Sequence, residues 1–395
     1  MKVAIIGAGF TGLSAGYYLA KKGHRVSIFE KEKFPGGLAA GYKKQNWTWP
    51  LEQHYHHLFE SDSEIIKFAN ELGIKINFYK SKTSILTQNG IFPLDSLISL
   101  LKFPCLGLNA KIRMGLTLGY LKLTPFWRLL EKETAKSFIL KAMGPTPWKF
   151  IWEPLLEGKF GEYADKIPAS WFWARIKKRS VCLGHPEGGF ETLAKRAVSA
   201  VEKTGGKVLY RQSVSSPGKL SDQFDRVIST VPVRKVPYLG SVDLVLRLKK
   251  PFLPDNIYWL NIGIQGFSFL SVVEHTNLIS KQNYGNEHLV YIGKYLPSNH
   301  RYFSLTKEEI LRRHHPDLTK INPDYKSSLL GFDVFKSLYA QPVFPLNYSW
   351  QIPPLKTEAE NIYSAAMEQI YPWDRGTNYA IALGKKAAEL VSRQK

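Results

Sequence analysis

The pattern of apolar and polar residues at the start of the chain predicts a strand, a helix and a second strand in quick succession. An apolar run from Val3 to Ile6 leads into a glycine-rich turn, and a helical pattern then extends to about Gly23. A second strand-like run begins at Arg25 and ends at Glu30. The chain is therefore expected to open with a β–α–β unit.

Three glycines in the first turn indicate that this β–α–β unit binds a dinucleotide. Gly7 permits the tight turn, Gly9 lets the main chain approach a pyrophosphate, and Gly12 allows the helix to pack closely on the strand. The phosphates would then meet the free N–H groups at the start of the helix. The predicted cofactor contacts comprise Gly7, Ala8, Gly9, Phe10, Thr11 and Gly12.

An acidic residue at the end of the second strand narrows the choice of nucleotide. Glu30, followed by Lys31, is placed to accept hydrogen bonds from the adenosine ribose hydroxyls. Its charge would repel the 2′-phosphate of NADP. The later glycine pair, Gly205 and Gly206, does not repeat the motif, so we expect no dedicated NADPH domain.

Two further stretches, residues 80–175 and 240–350, are not assigned to the nucleotide and are predicted to form the substrate-binding part of the protein. In the second, the alternation of Leu270 with Val272 and of Leu289 with Tyr291 predicts an antiparallel sheet. Together the two stretches would enclose an apolar cavity. Five tryptophans are candidates either for its lining or for ordinary core, namely Trp148, Trp152, Trp171, Trp173 and Trp259.

Composition excludes several classes of protein. A chain of 395 residues with 44% hydrophobic content can bury one large core or two, and it is not disordered. Two cysteines, Cys105 and Cys182, predict no disulfide framework and favour a reducing, cytoplasmic setting. Glycines interrupt the first apolar run early, so neither a signal peptide nor a spanning helix is expected there.

The formal charge of +21 requires an anionic partner or surface as its explanation. We expect no nucleic-acid binding, because the basic residues are scattered and no known recognition motif is present. An anionic membrane surface is the better explanation, and residues 97–130 are the candidate segment for it. All charged residues of this segment are basic, and they lie among Leu, Phe, Tyr and Trp. Either this segment contacts an anionic membrane on the inner face, or it is a helical cap with snorkelling side chains.

The glycine pair that follows Glu30 makes the chain resemble a known family of proteins. Gly36 and Gly37, six and seven residues after Glu30, with Leu38 next, resemble the second phosphate turn of FAD proteins. With the C-terminal stretch from residue 361, the chain resembles the flavin-containing amine oxidoreductase superfamily, in particular its protoporphyrinogen oxidase-like and phytoene desaturase-like branch. Phe34 and Leu38 stand where amine oxidases usually carry arginine, which argues against amine oxidation.

The resemblance implies an α/β fold in which a Rossmann-like FAD-binding domain is interrupted by a substrate domain of mixed or antiparallel sheet with a helical cap. The FAD-binding segments would be residues 1–78, 179–240 and 353–395. Residues 79–178 would form the helical cap, and residues 241–352 would form the antiparallel sheet.

The resemblance also implies further contacts with FAD. The main chain at Val214, on a strand that continues from Lys207, would touch the adenine, and Thr230 would return the chain to the nucleotide. Met367 and Glu368 would face the ribityl or pyrophosphate region. The N–H groups of Thr377, Asn378 and Tyr379 would face the flavin N1/O2 edge, where a helix N-terminus stabilises negative charge, and Thr377 or Asn378 would cap that helix.

Histidines after the glycine pair are the candidates for catalysis. His56 and His57, near Glu52 and His54, would act as general acid or base, or would merely bond local backbone. No metal is expected, because cysteine is absent here and second ligands are not evident. A second polar group, Glu274, His275 and Asn277, would lie near the substrate or bond across strands.

The sequence thus predicts an FAD-dependent enzyme that removes hydride from a hydrophobic, isoprenoid- or porphyrinogen-like substrate. The alternative is a non-redox rearrangement of a nucleotide sugar, as in UDP-galactopyranose mutase. That reaction needs anion-binding arginines, for which Arg175, Arg179 and Arg301 are candidates. The sequence does not indicate an oligomeric state.

Overall fold

The computed structural model describes residues 1–393 as an α/β protein built around two large sheets. Its strands are β1 (Lys2–Ile6), β2 (Arg25–Phe29), β3 (Gly41–Tyr42), β4 (Leu51–Glu52), β5 (Leu58–Phe59), β6 (Ile76–Lys80), β7 (Thr83–Thr87), β8 (Gly90–Pro93), β9 (Cys182–Pro186), β10 (Lys207–Leu209), β11 (Arg226–Ser229), β12 (Tyr238–Leu248), β13 (Trp259–Ile262), β14 (Ser271–Glu274), β15 (His288–Pro297), β16 (Leu329–Pro342) and β17 (Ile362–Ser364). Its α-helices are α1 (Phe10–Lys21), α2 (Ser63–Glu71), α3 (Leu97–Lys102), α4 (Leu108–Leu123), α5 (Trp127–Leu130), α6 (Ala135–Ala142), α7 (Pro145–Pro147), α8 (Glu153–Phe160), α9 (Ala169–Lys178), α10 (Gly189–Lys203), α11 (Lys307–Ile321) and α12 (Thr377–Arg393).

The first sheet is parallel, with the strand order β10–β2–β1–β11–β17. Val3, Ala4 and Ile5 of the central strand β1 have no exposed surface, as expected for a parallel strand covered on both faces. Its strands come from three separate parts of the chain. The predicted α/β class with a Rossmann-like parallel core is confirmed.

The first and last helices of the chain pack directly against each other. A methyl group at Gly384 of α12 would collide with the carbonyl oxygen of Thr11 in α1, so only glycine allows this close approach. The Ser14 hydroxyl donates a hydrogen bond of 2.8 Å to the carbonyl of Ile381. The C-terminal helix is thereby fixed on the N-terminal β–α–β unit.

The second sheet has the order β16–β12–β15–β14–β13–β7–β8, and all its pairs are antiparallel except β13 with β7. The predicted antiparallel sheet over residues 240–350 is therefore present, with two strands added from residues 83–93. Residues 79–178 contain these two strands as well as the helices α3 to α9.

One predicted strand is shorter than expected. The run predicted to continue from Lys207 to Val214 forms a strand only to Leu209, because Arg211 adopts a left-handed conformation (φ 56°) that ends an extended strand. The N–H of Arg211 then bonds to the carbonyl of Glu32, and that of Gln212 to the carbonyl of Glu30. The segment is thus turned across the end of β2.

Candidate functional site

Two glycine turns face each other beside the end of β1. The N–H of Gly36 donates a hydrogen bond of 2.9 Å to the carbonyl of Ala8, and Gly9 forms an isolated bridge with Gly36. A methyl group at Gly9 would lie 3.8 Å from the Cα of Gly37. The two turns are therefore in direct main-chain contact, and a ligand beside them would meet backbone groups rather than side chains.

The side chains of the first turn are used for packing. Phe10 is 4% exposed and meets the ring of Phe190 edge-on at 6.2 Å, while Ala8 is fully buried. Gly7 has φ 104° and lies against Thr230, whose hydroxyl donates a hydrogen bond of 2.8 Å to the carbonyl of Ile6. Of these residues, only main-chain groups can reach a nucleotide.

Glu30 has a structural role that the sequence did not predict, while its contact with a ribose stays a prediction. Its carboxylate accepts hydrogen bonds of 2.7 Å from the N–H of Ala8 and 2.9 Å from the N–H of Glu32. It therefore ties the glycine turn to the end of β2. Lys31 is exposed and lies 3.8 Å from Glu32, while Val214 is half-buried against the far side of the sheet.

The C-terminal contacts differ in part from the prediction. Glu368 is fully buried, and one of its oxygens accepts a hydrogen bond of 2.8 Å from the N–H of Arg234, while the other is buried without a partner. Its neighbour Tyr238 has a raised pKa, because of burial and the nearby Glu368 charge. Glu368 thus supports the connection after β11, and the adjoining Met367 is half-buried.

The predicted cap of the last helix is wrong. Helix α12 begins at Thr377, so Asn378 already lies inside it, and its side chain accepts hydrogen bonds from the N–H groups of Glu64 and Ile65. Asn378 therefore caps α2, which is distant in sequence but adjacent in space. The N–H groups of the first turn precede the first intrahelical bond, from Ala380 to Gly376, and remain available to an anion.

A cavity of about 180 Å³ lies at this end of α12. Its walls include all three predicted residues of the helix start and both candidate histidines. The Nδ1 atom of His56 bonds to the carbonyl of His54 at 2.7 Å, and because a carbonyl only accepts, this nitrogen carries the proton. The Nδ1 atom of His57 is buried without a partner.

Burial keeps both histidines neutral near pH 7. Desolvation lowers the pKa of His56 to about 4. For His57, desolvation together with the nearby charges of Arg179 and Arg175 lowers the pKa to about 3. A neutral imidazole has one N–H donor and one acceptor nitrogen, so these residues can form hydrogen bonds with a ligand, while their lowered pKa values make them weak bases. Their predicted catalytic role remains a prediction.

Cationic side chains gather around the same cavity. Lys159 lies 3.1 Å and Arg175 3.4 Å from Asp374, while Arg179 and Arg375 form no ion pair among residues 1–393. Burial lowers the pKa of Lys159 to about 7, although Asp374 acts in the opposite direction. The sequence did not single out Lys159, because nothing in its local pattern distinguishes it from a surface lysine.

A larger, mostly apolar cavity of about 510 Å³ adjoins the first one. Eight residues line both cavities, among them Lys159, Arg175 and Arg179. Of the five candidate tryptophans, Trp152, Trp171 and Trp259 line the larger cavity. Trp148 and Trp173 belong to the core instead, with indole N–H groups bonded to Glu153 and to the carbonyl of Thr124.

The remaining polar candidates are structural. Glu274 accepts hydrogen bonds from the N–H groups of Phe252 and Leu253, and Asn277 donates to the carbonyl of Ile257. Arg301 is exposed in a 3-10 turn and lines neither of the two cavities described above. The predicted role of Arg301 at the site is therefore wrong. Arg175 and Arg179 line both cavities, and their predicted anion-binding role stays a prediction.

One buried cluster was not predicted. Ligand-type atoms of Glu52, His185 and His275 lie within 4.8 Å of one another. Glu52 accepts from His185 at 3.3 Å and from the N–H of Phe190 at 2.8 Å, and His275 bonds to Tyr284 at 2.8 Å. Because each member already has a protein partner, we interpret the cluster as a polar core network.

Comparison with known proteins places this geometry in context. Residues 5–72 match the family described as NAD(P)-binding Rossmann-like domain. Coproporphyrinogen III oxidase of Staphylococcus aureus is 26% identical over 196 residues, 46% of this chain and 41% of that protein. The 15-cis-phytoene desaturase of Synechococcus elongatus is 35% identical over 89 residues, 22% of this chain and 19% of that protein.

Likeness in structure extends over nearly the whole chain. Reduced UDP-galactopyranose mutase has a TM-score of 0.75 at 14% identity, covering 99% of this chain and 95% of that one. Putrescine oxidase bound to putrescine has a TM-score of 0.72 at 16% identity, covering 100% of both chains. The alignments to the two curated relatives span less than half of their lengths, so likeness establishes the fold and not the reaction. Residues 5–72 thus match a Rossmann-like domain, and the chain as a whole shares the fold of putrescine oxidase and UDP-galactopyranose mutase.

Proposed function

We propose that this protein binds FAD and oxidises a largely apolar substrate. The paired glycine turns at Gly9 and Gly37 would border a main-chain crevice suited to a pyrophosphate, because neither residue has a side chain that would keep a ligand from the backbone. The start of α12 supplies N–H groups for the electron-rich edge of a flavin. When bound, the flavin would take up a hydride from the substrate and pass the electrons to oxygen, a quinone or another acceptor.

The observation that carries the redox assignment is the junction of the two cavities. The smaller one reaches the first turn of α12, and the larger one, of about 510 Å³, is lined mainly by apolar side chains from α3, α4, α8 and α9. An apolar substrate in the larger cavity would present one end to the residues that line both. The joined cavities support an isoprenoid- or porphyrinogen-like substrate.

One group at the junction can move protons. Lys159, with a pKa of about 7, is able to take up or release a proton at Nζ near neutral pH. His57, in the wall of the smaller cavity, has a buried, unpartnered Nδ1 that can form a hydrogen bond with a ligand. Removal of a hydride leaves a cationic or acidic product, so a nearby base is required to complete a dehydrogenation.

The crevice allows a sharp test of cofactor binding. Gly9 has φ −73° and ψ 174°, which alanine adopts without strain, and its added methyl would meet only the Cα of Gly37 at 3.8 Å. Gly9→Ala is therefore expected to fold but to lose bound FAD, because the methyl fills the space for the pyrophosphate. Gly218→Ala, at another glycine with room for a methyl, is the matched control.

The measurement is the visible absorbance of the purified variants and its bleaching by dithionite. We expect a yellow wild type and a yellow Gly218→Ala protein, with a colourless Gly9→Ala protein of unchanged far-UV circular dichroism. Wild-type protein that is colourless and does not bind added FAD would refute the proposal. Equal flavin content in all three would refute the assignment of the crevice.

A second candidate is a non-redox rearrangement of a nucleotide sugar. The observation in its favour is that Arg175 and Arg179 line the cavity, where they could hold a diphosphate. Turnover under anaerobic conditions with pre-reduced flavin and no electron acceptor would support this reaction. Turnover that requires a stoichiometric acceptor would support the oxidation.

We also propose that the helical layer meets an anionic membrane surface. On α4 an outward stripe at helical spacing is strongly exposed, with Leu108 70%, Ile112 50%, Leu116 72% and Leu123 80% exposed. Such contiguous apolar surface is rare on proteins without a binding partner. Exposed Lys102 in α3, with Lys122 and Arg128, supplies the positive charge that favours anionic headgroups. Among residues 1–393, the helices are all too short or too polar to cross a bilayer.

A further inference from the structure

We propose that the substrate is an amphiphile with one anionic head group, held by Arg175 and Arg179, and an apolar chain in the larger cavity. This inference rests on the proposed function, because it assigns the substrate class of the same site. The proposed function requires only an apolar substrate, whereas this inference also requires a phosphate or carboxylate at one end of that substrate.

The charge around the junction is unbalanced. The cations that line the smaller cavity include the buried Lys159, the half-buried Arg175 and Arg375 and the exposed Arg179. Among residues 1–393, Asp374 is the one carboxylate of its wall that forms ion pairs with any of them. Of the other carboxylates that line the cavities, Asp95 is exposed at the rim. Asp62 accepts a hydrogen bond from the N–H of Phe59, and burial raises its pKa. A local excess of positive charge at a cavity wall attracts an anionic ligand.

The two arginines are presented by one helix face. Trp171 and Arg175 lie four residues apart on α9, and Arg179 follows the end of the helix at the same spacing. This spacing places the three side chains in one row along the cavity wall. Arg179 directs its guanidinium to the hydroxyl of Thr83 at 3.3 Å, and its main-chain carbonyl accepts a hydrogen bond from Lys122. The helix and these bonds hold the row in place.

Arg179 has much of its hydrogen-bonding capacity free. Arg179 is exposed, and its side chain lines both cavities. Desolvation by the surrounding protein, together with the charge of Arg175, lowers the pKa of Arg179 to about 10. A guanidinium carries five N–H donors, and a phosphate or carboxylate oxygen is the partner that satisfies several at once.

The apolar end of the ligand has its own path. Leu97, Leu118 and Leu155 contribute to the wall of the larger cavity, and Leu97 is also 66% exposed. The cavity thus begins at the apolar outer face of α3 and α4 and ends at the arginine row. An amphiphile that passes from a membrane into this cavity would keep its chain in apolar surroundings. Its head group would reach Arg175 and Arg179.

Binding to the purified protein, with whatever flavin it carries, tests the inference. Isothermal titration calorimetry would compare dodecyl phosphate below its micellar concentration with dodecanol and with inorganic phosphate. We expect dodecyl phosphate to bind at least about tenfold more tightly than either, since charge-assisted hydrogen bonds add to apolar burial. Equal affinity for dodecanol would overturn the anionic head, and equal affinity for inorganic phosphate would overturn the apolar chain.

Variants assign the head group to its residues. Arg175→Gln and Arg179→Gln should each weaken dodecyl phosphate binding by about tenfold and leave dodecanol binding unchanged. Arg301 is exposed and lines neither of the two cavities, so the Arg301→Gln variant should bind dodecyl phosphate like wild type. Unchanged dodecyl phosphate affinity in both cavity variants would overturn the assignment.

The two proposals fail separately. Flavin content, read from the absorbance of the same samples, shows that each variant is folded around its cofactor. Protein without flavin that still prefers dodecyl phosphate would refute the proposed redox function and support the ligand class. Yellow protein that does not discriminate among the three probes would support the flavin and refute the ligand class.

Discussion

Replacing Glu52 by Gln is expected to destabilise the protein by about 3 kcal/mol near neutral pH. Glu52 and His185 are each only 1% exposed and lie 3.3 Å apart. Burial alone would raise the pKa of Glu52. The nearby His185 and the N–H of Phe190 act in the opposite direction and contribute to lowering this pKa from 4.5 to about 2. A shift of this size corresponds to about 3 kcal/mol, comparable to the loss on breaking a buried ion pair. Glutamine has nearly the same shape, so no cavity is created.

The pH dependence gives the expected loss its signature. A carboxyl group whose folded-state pKa is depressed contributes stability that is fully present above its unfolded value of 4.5 and is lost as pH falls toward 2. The difference between wild type and Glu52→Gln should therefore be constant from about pH 7 to pH 5 and shrink below that range.

Urea unfolding followed by tryptophan fluorescence, at several pH values and with equal flavin content, measures this difference. Glu187→Gln, at an exposed position nearby, should change the free energy of unfolding by less than about 0.5 kcal/mol. The reasoning would be refuted if Glu52→Gln lowered the free energy of unfolding by less than about 1 kcal/mol at neutral pH. It would also be refuted if the difference from wild type stayed the same in acid.

Two other predictions concern Lys159 and the helical layer. Because the folded-state pKa of Lys159 is about 7 against 10.5 when unfolded, the wild type should gain about 2 kcal/mol of stability between about pH 7 and pH 9. Lys159→Met should lack this gain, and parallel urea curves for the two proteins over that range would contradict the assignment. For the membrane surface, Leu116→Glu should abolish flotation with vesicles containing phosphatidylglycerol, whereas Leu330→Glu, at an exposed leucine on the sheet, should float like wild type. Flotation of Leu116→Glu equal to that of wild type would remove this face as the docking site.

The first β–α–β unit was predictable because its signals are local. The strand, the glycine turn and the helix occupy residues 2–21, and each depends on neighbours within a few residues. The outward stripe on α4 follows equally from helical spacing, although only the structure shows that no other element within residues 1–393 covers it. The side-chain roles in the turn were less predictable, as the buried Phe10 illustrates.

Contacts between distant residues were beyond the reach of periodicity. Asn378 caps α2 at a separation of 314 residues, and Asp374 meets Lys159 across 215 residues. Nothing in the sequence around Lys159 predicts that α8 lies against the closing turn. The histidines at positions 56 and 57 could be named from the sequence, but their neutral state follows from burial.

The sequence by itself determined that this chain begins with a dinucleotide-binding turn, carries an excess of basic residues and lacks a second nucleotide motif, because those properties reside in short contiguous segments and in composition. Tertiary structure alone decided that an apolar cavity ends at a row of arginines and a buried lysine. The reason is physical: the charge state of a side chain and the shape of a cavity depend on desolvation by groups that the fold brings together from far along the chain.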